Sequence, residues 1–302
     1  MRIGVAATPN VAVPTLDWLL SSHHELKLLI TQPDKPHGRG RSISQSDVAT
    51  WGDAHGVAVF KTNSQEEIKT LCQDLDLLIT IGFGVLLRKE VLSAPRFGCI
   101  NLHFSLLPKF RGAAPVQRAI EAGESETGVT VFKLDEGMDT GPIYSKIKHP
   151  IHPDARSKEL LAELSEIGVD AVKNSLTNIE AGIEPTSQMG DFSLAPKLSK
   201  QEAQLDWNFP AVKLGAKIRA FYPDPCAWTL FRGDVLKIIQ AKSYSISSSL
   251  LPGQIKVIDG HCLVGTSSGD VELLTVVPAG KKEMLAVDWS RGARFTAEEY
   301  CG

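Results

Sequence analysis

A chain of 302 residues is long enough for one large domain or two ordinary ones, and 43% hydrophobic with 22% charged residues excludes a disordered or fibrous protein. A net charge of -3 gives no global attraction to nucleic acid, so any such contact must come from local basic patches. The five cysteines, Cys72, Cys99, Cys226, Cys262 and Cys301, are scattered and form no C-x-x-C pair, which argues against a disulfide framework or a structural zinc site and fits reduced thiols in a cytoplasm.

The opening "MRIGVAATPN" has one basic residue and no long apolar core, so it reads as a first strand and turn and not as a signal peptide. In chain order, "RIGVAAT" predicts a short strand, "TLDWLLSS" has helical apolar spacing, "LKLLITQ" predicts a second strand and "DVATWGDAHG" a helix ending at Gly56. "VAVFK", "EEIKTLCQDL", "DLLITIG" and "GCINLHFS" continue the alternation, which predicts a parallel sheet with crossover helices, a doubly wound α/β domain. The longest uncharged apolar run, Leu77 to Leu87, contains two glycines and falls well short of the roughly 20 residues that span a bilayer. "VTVFKLD" and "PIYSKIKHPI" predict further strands, and "KELLAELSEIGVDAVKNSLTNIEAG" a long amphipathic helix closed by Gly182.

Residues 185–203 lack periodicity and carry two prolines, as a linker would. A helix over "AVKLGAKIRAF" follows, stopped by "YPDP", and the rest is β-like. There Asp259-Gly260 between alternating segments is a strong hairpin signal. The expected organisation is a catalytic domain over residues 1–184, Rossmann-like with a mostly parallel sheet, a linker over 185–203, and a small OB-like β-barrel over 204–302.

Candidate chemistry gathers at "CINLHFSLLP". Alternation along a strand puts Asn101, His103 and Ser105 on one face, and Ile100, Leu102, Phe104 and Leu106 on the other. Ligands of open parallel sheets sit beyond the carboxyl ends of the strands, so Asn101 and His103 would face a cleft walled by "SLLPKFRGAAP". "LDEGMDTG" brings Asp139 between Gly137 and Gly141 on a loop leaving a later strand. Taken singly, a polar strand face with one histidine is more often a structural hydrogen-bonding feature than a catalytic one, Asp139 is equally a turn former, and "SLLP" reads as a plain strand terminator. Their combination points to a site where an amide, an imidazole and a carboxylate converge.

"INLHFSLLPKFRGAAPVQRAI" followed by "GVTVFKLDEGMDTGPI" resembles the signature of the formyltransferases that use 10-formyltetrahydrofolate. "TQPDKPHGRGR", "KLSKQEAQLDWN", "IRAFYPDP" and "PAGKKEM" extend the resemblance over nearly the whole chain, toward the members whose acceptor is methionyl initiator tRNA. The resemblance implies transfer of a formyl group to the α-amino group of that methionine in translation initiation, with Asn101, His103 and Asp139 catalytic. It implies 10-formyltetrahydrofolate as co-substrate and no metal, with Ser105, Leu106, Leu107 and Pro108 on one side of its pocket and Phe83 and Gly84 in a loop offering backbone groups to the pterin. It also implies tRNA contacts from Lys35, Arg39 and Arg41 in the glycine- and proline-rich "PDKPHGRGR", and from Lys281 and Lys282 in "PAGKK". A cytoplasmic monomer without membrane attachment is expected.

The chain departs from the family at two places. Phe104 stands where glycine is usual: on a regular strand it would face away from Asn101 and His103 and repack the layer behind the site, whereas on a twisted or bulged strand its ring would crowd the folate pocket. Ala7 replaces the glycine usual in a strand-to-helix turn. Three rivals stay open at this stage: formyl transfer to an amino sugar nucleotide or another small amine, an NAD-dependent oxidoreductase, for which "GVAATP" lacks G-x-G-x-x-G, and an RNA-binding protein without catalysis.

Overall fold

The computed structural model describes residues 1–37, 42–244, 249–296 and 298–302. The described chain divides into two compact units, one of residues 1–115, 126–150 and 161–196, the other of residues 116–125, 151–160 and 197–302.

The first unit is built on a seven-stranded sheet. Its strands are β1 (Arg2–Ala7), β2 (Glu25–Thr31), β5 (Val59–Lys61), β6 (Leu77–Ile81), β7 (Cys99–His103), β8 (Glu126–Lys133) and β9 (Ile143–Pro150), in the order β5-β2-β1-β6-β7-β8-β9. A short separate ribbon pairs β3 (Lys35–His37) with β4 (Ser42–Ser44). From β5 through β7 all neighbours are parallel; β8 and β9 add antiparallel to one side. The buried run "LLITI" of β6 follows from this, because a central parallel strand is covered on both faces and needs apolar residues throughout. Edge strand β9 instead alternates between half-buried and exposed positions in its second half.

The crossovers are α1 (Val13–Ser21), α2 (Asp47–His55), α3 (Gln65–Cys72) and the short α4 (Lys89–Leu92). Ser46 caps α2 by accepting from the Ala49 N–H, and the helix ends on Gly56 at φ 68°, the left-handed conformation that a side chain would disfavour. Ser64 caps α3 in the same way through the Glu67 N–H. One face of α3, Ile68 and Cys72, joins Ile30 of β2 and Leu78 of β6 in one buried cluster. Burial of that kind stabilises by about 1.5–3 kcal/mol per large aliphatic side chain.

Two further helices are α5 (Pro115–Glu121) and α6 (Ser157–Glu180), the latter followed by Gly182 at φ 69°. In the first unit the stretch beyond α6 is hydrogen-bonded at several points: Thr186 bridges Ile143, and Arg111 bridges Leu194 between hydrogen bonds to Ser193 and Ala195.

The second unit carries α7 (Ala211–Ala220) and an antiparallel sheet of β10 (Trp228–Phe231), β11 (Asp234–Tyr244), β12 (Ile255–Ile258), β13 (His261–Gly265) and β14 (Asp270–Pro278), with β15 (Met284–Leu285) on β14. Asp259 and Gly260 both have positive φ, 51° and 85°, and join β12 to β13 as a two-residue turn that matches the twist of the strands. The sheet curls: Phe231 at the end of β10 bridges Cys301, and Gln254 beside β12 bridges Tyr300. Residues 299–302 thus link its two edges. The "AVDWSRGA" segment, which reads as part of a β-like remainder, forms α8 (Ala286–Ala293), because Ala286, Trp289 and Ser290 bury one helical face. Among the described residues no helix is long and apolar enough to cross a membrane.

Candidate active site

Strands β6 and β7 run parallel with Thr80 opposite Asn101, which brings both to the carboxyl end of the sheet. A cavity of about 370 Å³ opens there, within the range of small-molecule sites. Asn101, His103 and Asp139 all line it, as do Phe83 and Gly84, Thr80, Phe104, Gly112 and Met138.

His103 is 5% exposed. Its Nε2 lies 2.9 Å from the Phe110 carbonyl, which can only accept, so Nε2 carries a proton. Nδ1 is then the free ring nitrogen, 3.6 Å from Oδ2 of Asp139, beyond a direct hydrogen bond but close enough to feel the charge. Burial, the larger influence, pushes the imidazole below its usual pKa, against the opposing pull of Asp139 and of the Phe110 carbonyl. The ring is therefore neutral near pH 7, with an empty proton site at Nδ1 and a carboxylate nearby.

Asp139 sits in the left-handed region, φ 54°, and its Oδ2 accepts from the Gly112 N–H at 2.7 Å. The glycines around it are needed for space. A Cβ on Gly141 would stand 1.8 Å from the Lys133 carbonyl oxygen, and one on Gly112, at φ 123°, 2.8 Å from that of Ala195. Gln188 fastens the same loop by donating to the carbonyls of Asp139 and Gly141.

Asn101 is half-buried, and its Oδ1 lies 2.7 Å from the Thr80 hydroxyl. That hydroxyl has one proton and two acceptors in reach, the other being the Ile100 carbonyl at 3.2 Å. The shorter contact engages the oxygen side of the amide, which leaves the Nδ2 hydrogens for the cavity. In the loop after β6, Gly82 and Gly84 take positive φ, 58° and 72°, and Gln32 Nε2 holds the Phe83 carbonyl at 2.6 Å.

The segment after β7 differs from the alternation read along the sequence. The strand stops at His103, so Phe104 no longer follows its two-residue period, and it is among the residues around the cavity. Ser105, Leu106, Leu107 and Pro108 do not line the cavity. They are wound against β8: the Thr130 hydroxyl donates to the Ser105 carbonyl at 2.6 Å and accepts from the Leu107 N–H, while the Ser105 hydroxyl donates to the Lys109 carbonyl. Thr80 is the site residue that sequence reasoning passed over; its one signal is a hydroxyl inside the apolar run "LLITIG".

Of the basic residues, Lys281 and Lys282 are exposed in the second unit, on the turn between β14 and β15. Lys35 has its backbone in β3, and Arg39 and Arg41 lie outside the described residues.

Comparison with known proteins gives the family of the chain. The family described as "Formyl transferase" matches residues 1–176, and "Formyl transferase, C-terminal domain" matches residues 197–294. The methionyl-tRNA formyltransferase of Streptomyces coelicolor is 40% identical over 311 residues, covering 100% of both chains. That of an Arthrobacter species is 40% identical over 296 residues, covering 97% of each. Among solved structures, HypX from Aquifex aeolicus in complex with tetrahydrofolic acid has the same fold at a TM-score of 0.69 and 18% identity, over 96% of this chain and 47% of its own. With a family match over more than half its length and full-length relatives at 40% identity, this chain belongs to the formyl transferases, in the methionyl-tRNA formyltransferase family.

Proposed function

We propose that this chain transfers the formyl group of 10-formyltetrahydrofolate to the α-amino group of methionyl initiator tRNA, with Asn101, His103 and Asp139 as the reacting set. The observation that carries the assignment of residues is their convergence on one cavity at the carboxyl end of β6 and β7.

The cavity suits the folate. Its walls are largely apolar, from Phe83, Val85, Leu87 and Leu92, and the turns at residues 82–84 offer backbone groups at its rim. This is how a flat heteroaromatic ring with a few polar edges is held. The bound folate supplies an activated formyl group; what remains for the protein is to place the amine, stabilise charge and move protons.

Attack by the amine on the formyl carbon needs no serine or cysteine nucleophile. It gathers negative charge on the formyl oxygen, and Asn101 Nδ2, left free by Thr80, is the donor available there. One such preorganised donor accounts for about 3–4 kcal/mol. An α-amino group with a pKa near 8 is about one-tenth neutral at pH 7, so the acceptor is partly ready to react. When the carbon–nitrogen bond forms, the amine must shed a proton. Nδ1 of His103 takes it, and Asp139 stabilises the imidazolium that results. As the bond between the formyl carbon and the folate nitrogen breaks, His103 gives the proton it took from the amine to that nitrogen.

Exposed Lys281 and Lys282, with Lys35, Arg39 and Arg41, supply the phosphate contacts to tRNA in this reading. Such contacts position the nucleic acid and are salt-sensitive, whereas identity is read elsewhere. Purified protein is given 10-formyltetrahydrofolate with methionyl initiator tRNA, free methionine or an amino sugar nucleotide. Formylation of the charged tRNA alone supports the proposal. Formylation of the sugar amine instead, or tRNA binding without transfer, overturns it.

A further inference from the structure

Away from the cavity, the described residues bring one group of three metal-capable side chains together: His23 and His24 in the connection between α1 and β2, and Glu180 at the last position of α6. His23 Nε2 lies 3.7 Å and His24 Nδ1 3.5 Å from the same carboxylate oxygen, Oε1 of Glu180. All three donor atoms fall within 4.8 Å of one another. On a tetrahedral ion with bonds of about 2.0–2.1 Å, neighbouring donors stand about 3.3 Å apart. Two of the spacings are therefore within a few tenths of an ångström of coordination contact.

The donors are held before any ion arrives. The side chain of His24 is 2% exposed. Its backbone N–H donates to the Ser22 hydroxyl at 3.1 Å, which in turn donates to the Leu19 carbonyl at 2.8 Å, so the turn carrying both histidines is fixed to the end of α1. The His24 ring meets Trp18 edge-on and has the His23 ring 3.9 Å away. The Met1 nitrogen, 3.5 Å from His24 Nδ1, also faces the group.

We propose that His23, His24 and Glu180 bind a zinc ion, with water completing the tetrahedron, and that the ion ties the last turn of α6 to the α1–β2 connection. Two imidazoles and one carboxylate are a recurrent zinc donor set. The same set is poor for magnesium or calcium, which take mostly oxygen ligands. The Met1 nitrogen is not required as a ligand.

The test uses untagged, reduced full-length protein stripped by chelator and titrated with zinc chloride in a calorimeter. One ion per chain is expected, with no heat from magnesium chloride. His23→Gln and Glu180→Gln each alter a partly exposed side chain, so both variants keep the metal-free unfolding temperature of the parent. Each weakens zinc binding by about tenfold or more, the scale at which even supporting groups around a metal act. The imidazole nitrogen resonances of His23 and His24 shift in the parent on addition of zinc. Absence of binding overturns the proposal, and so does binding that persists unchanged in both variants, since that places the ion elsewhere, for example on the cysteines.

Discussion

The Thr80 hydroxyl lies 2.7 Å from Oδ1 of Asn101, across the parallel pair of β6 and β7. This contact decides which end of the amide the cavity meets. Replacing Thr80 with valine keeps the shape and removes the hydroxyl, and loss of one such hydrogen bond costs about 0.5–1.5 kcal/mol. Thr80→Val is expected to lower kcat by roughly threefold to tenfold while the KM for tRNA stays near that of the parent, and Thr80→Ser to restore kcat. Steady-state kinetics on the two variants checks this, since a purely structural role would be equally disturbed by either.

His103 sets a pH dependence. Its folded pKa lies below the unfolded value near 6.5, chiefly through burial, so at pH below that value the unfolded chain binds the proton more readily. Its contribution to stability is complete above about pH 6.5 and is lost as pH falls toward the folded value. Thermal unfolding between pH 7 and pH 5 is expected to drop more steeply for the parent than for His103→Asn.

Phe104 is 7% exposed and is one of the residues lining the cavity. Phe104→Ala is expected to lower the unfolding temperature, with a cost of about 3 kcal/mol at the small end for a buried ring, and to raise the KM for the folate. Phe104→Leu keeps much of the volume and is expected to fall between the two. Titration of tetrahydrofolate against the three proteins gives the order directly.

In the second unit, Glu299 is paired with Arg232 and accepts from the backbone and hydroxyl of Thr296. The Arg232 guanidinium, with these donors, pulls the Glu299 carboxyl down to about 2. A lowered folded pKa means that the stabilisation is present above the unfolded value near 4.3 and is lost as pH falls toward about 2. Glu299→Gln is expected to be less stable than the parent at pH 7, with the difference shrinking on acidification. Chemical unfolding followed at pH 7 and pH 3 measures it.

The alternation of strands and helices was readable from periodicity and from local signals at some boundaries, such as Gly56 at the end of α2 or Asp259-Gly260 in the hairpin. Asn101 and His103 were legible for a similar reason: a two-residue period within one strand fixes a shared face. That period stops one residue later. Where β7 ends at His103, the path of the chain is set by Thr130, more than twenty residues away, and no local pattern announces that contact. Phe104 is among the residues around the cavity and Ser105 to Pro108 are not. Thr80 and Gly112 act through the Asn101 amide and the Asp139 carboxylate, relations that exist only once β6, β7 and the loops are assembled.

The most direct measurement is the single-turnover rate of formyl transfer from 10-formyltetrahydrofolate to methionyl initiator tRNA, in the parent and in His103→Ala, with tRNA binding recorded in the same samples. The expected result is rapid transfer by the parent and a loss of about a hundredfold or more in the variant at unchanged tRNA affinity. Transfer by His103→Ala at the parental rate would contradict the proton-accepting role on which the mechanism depends.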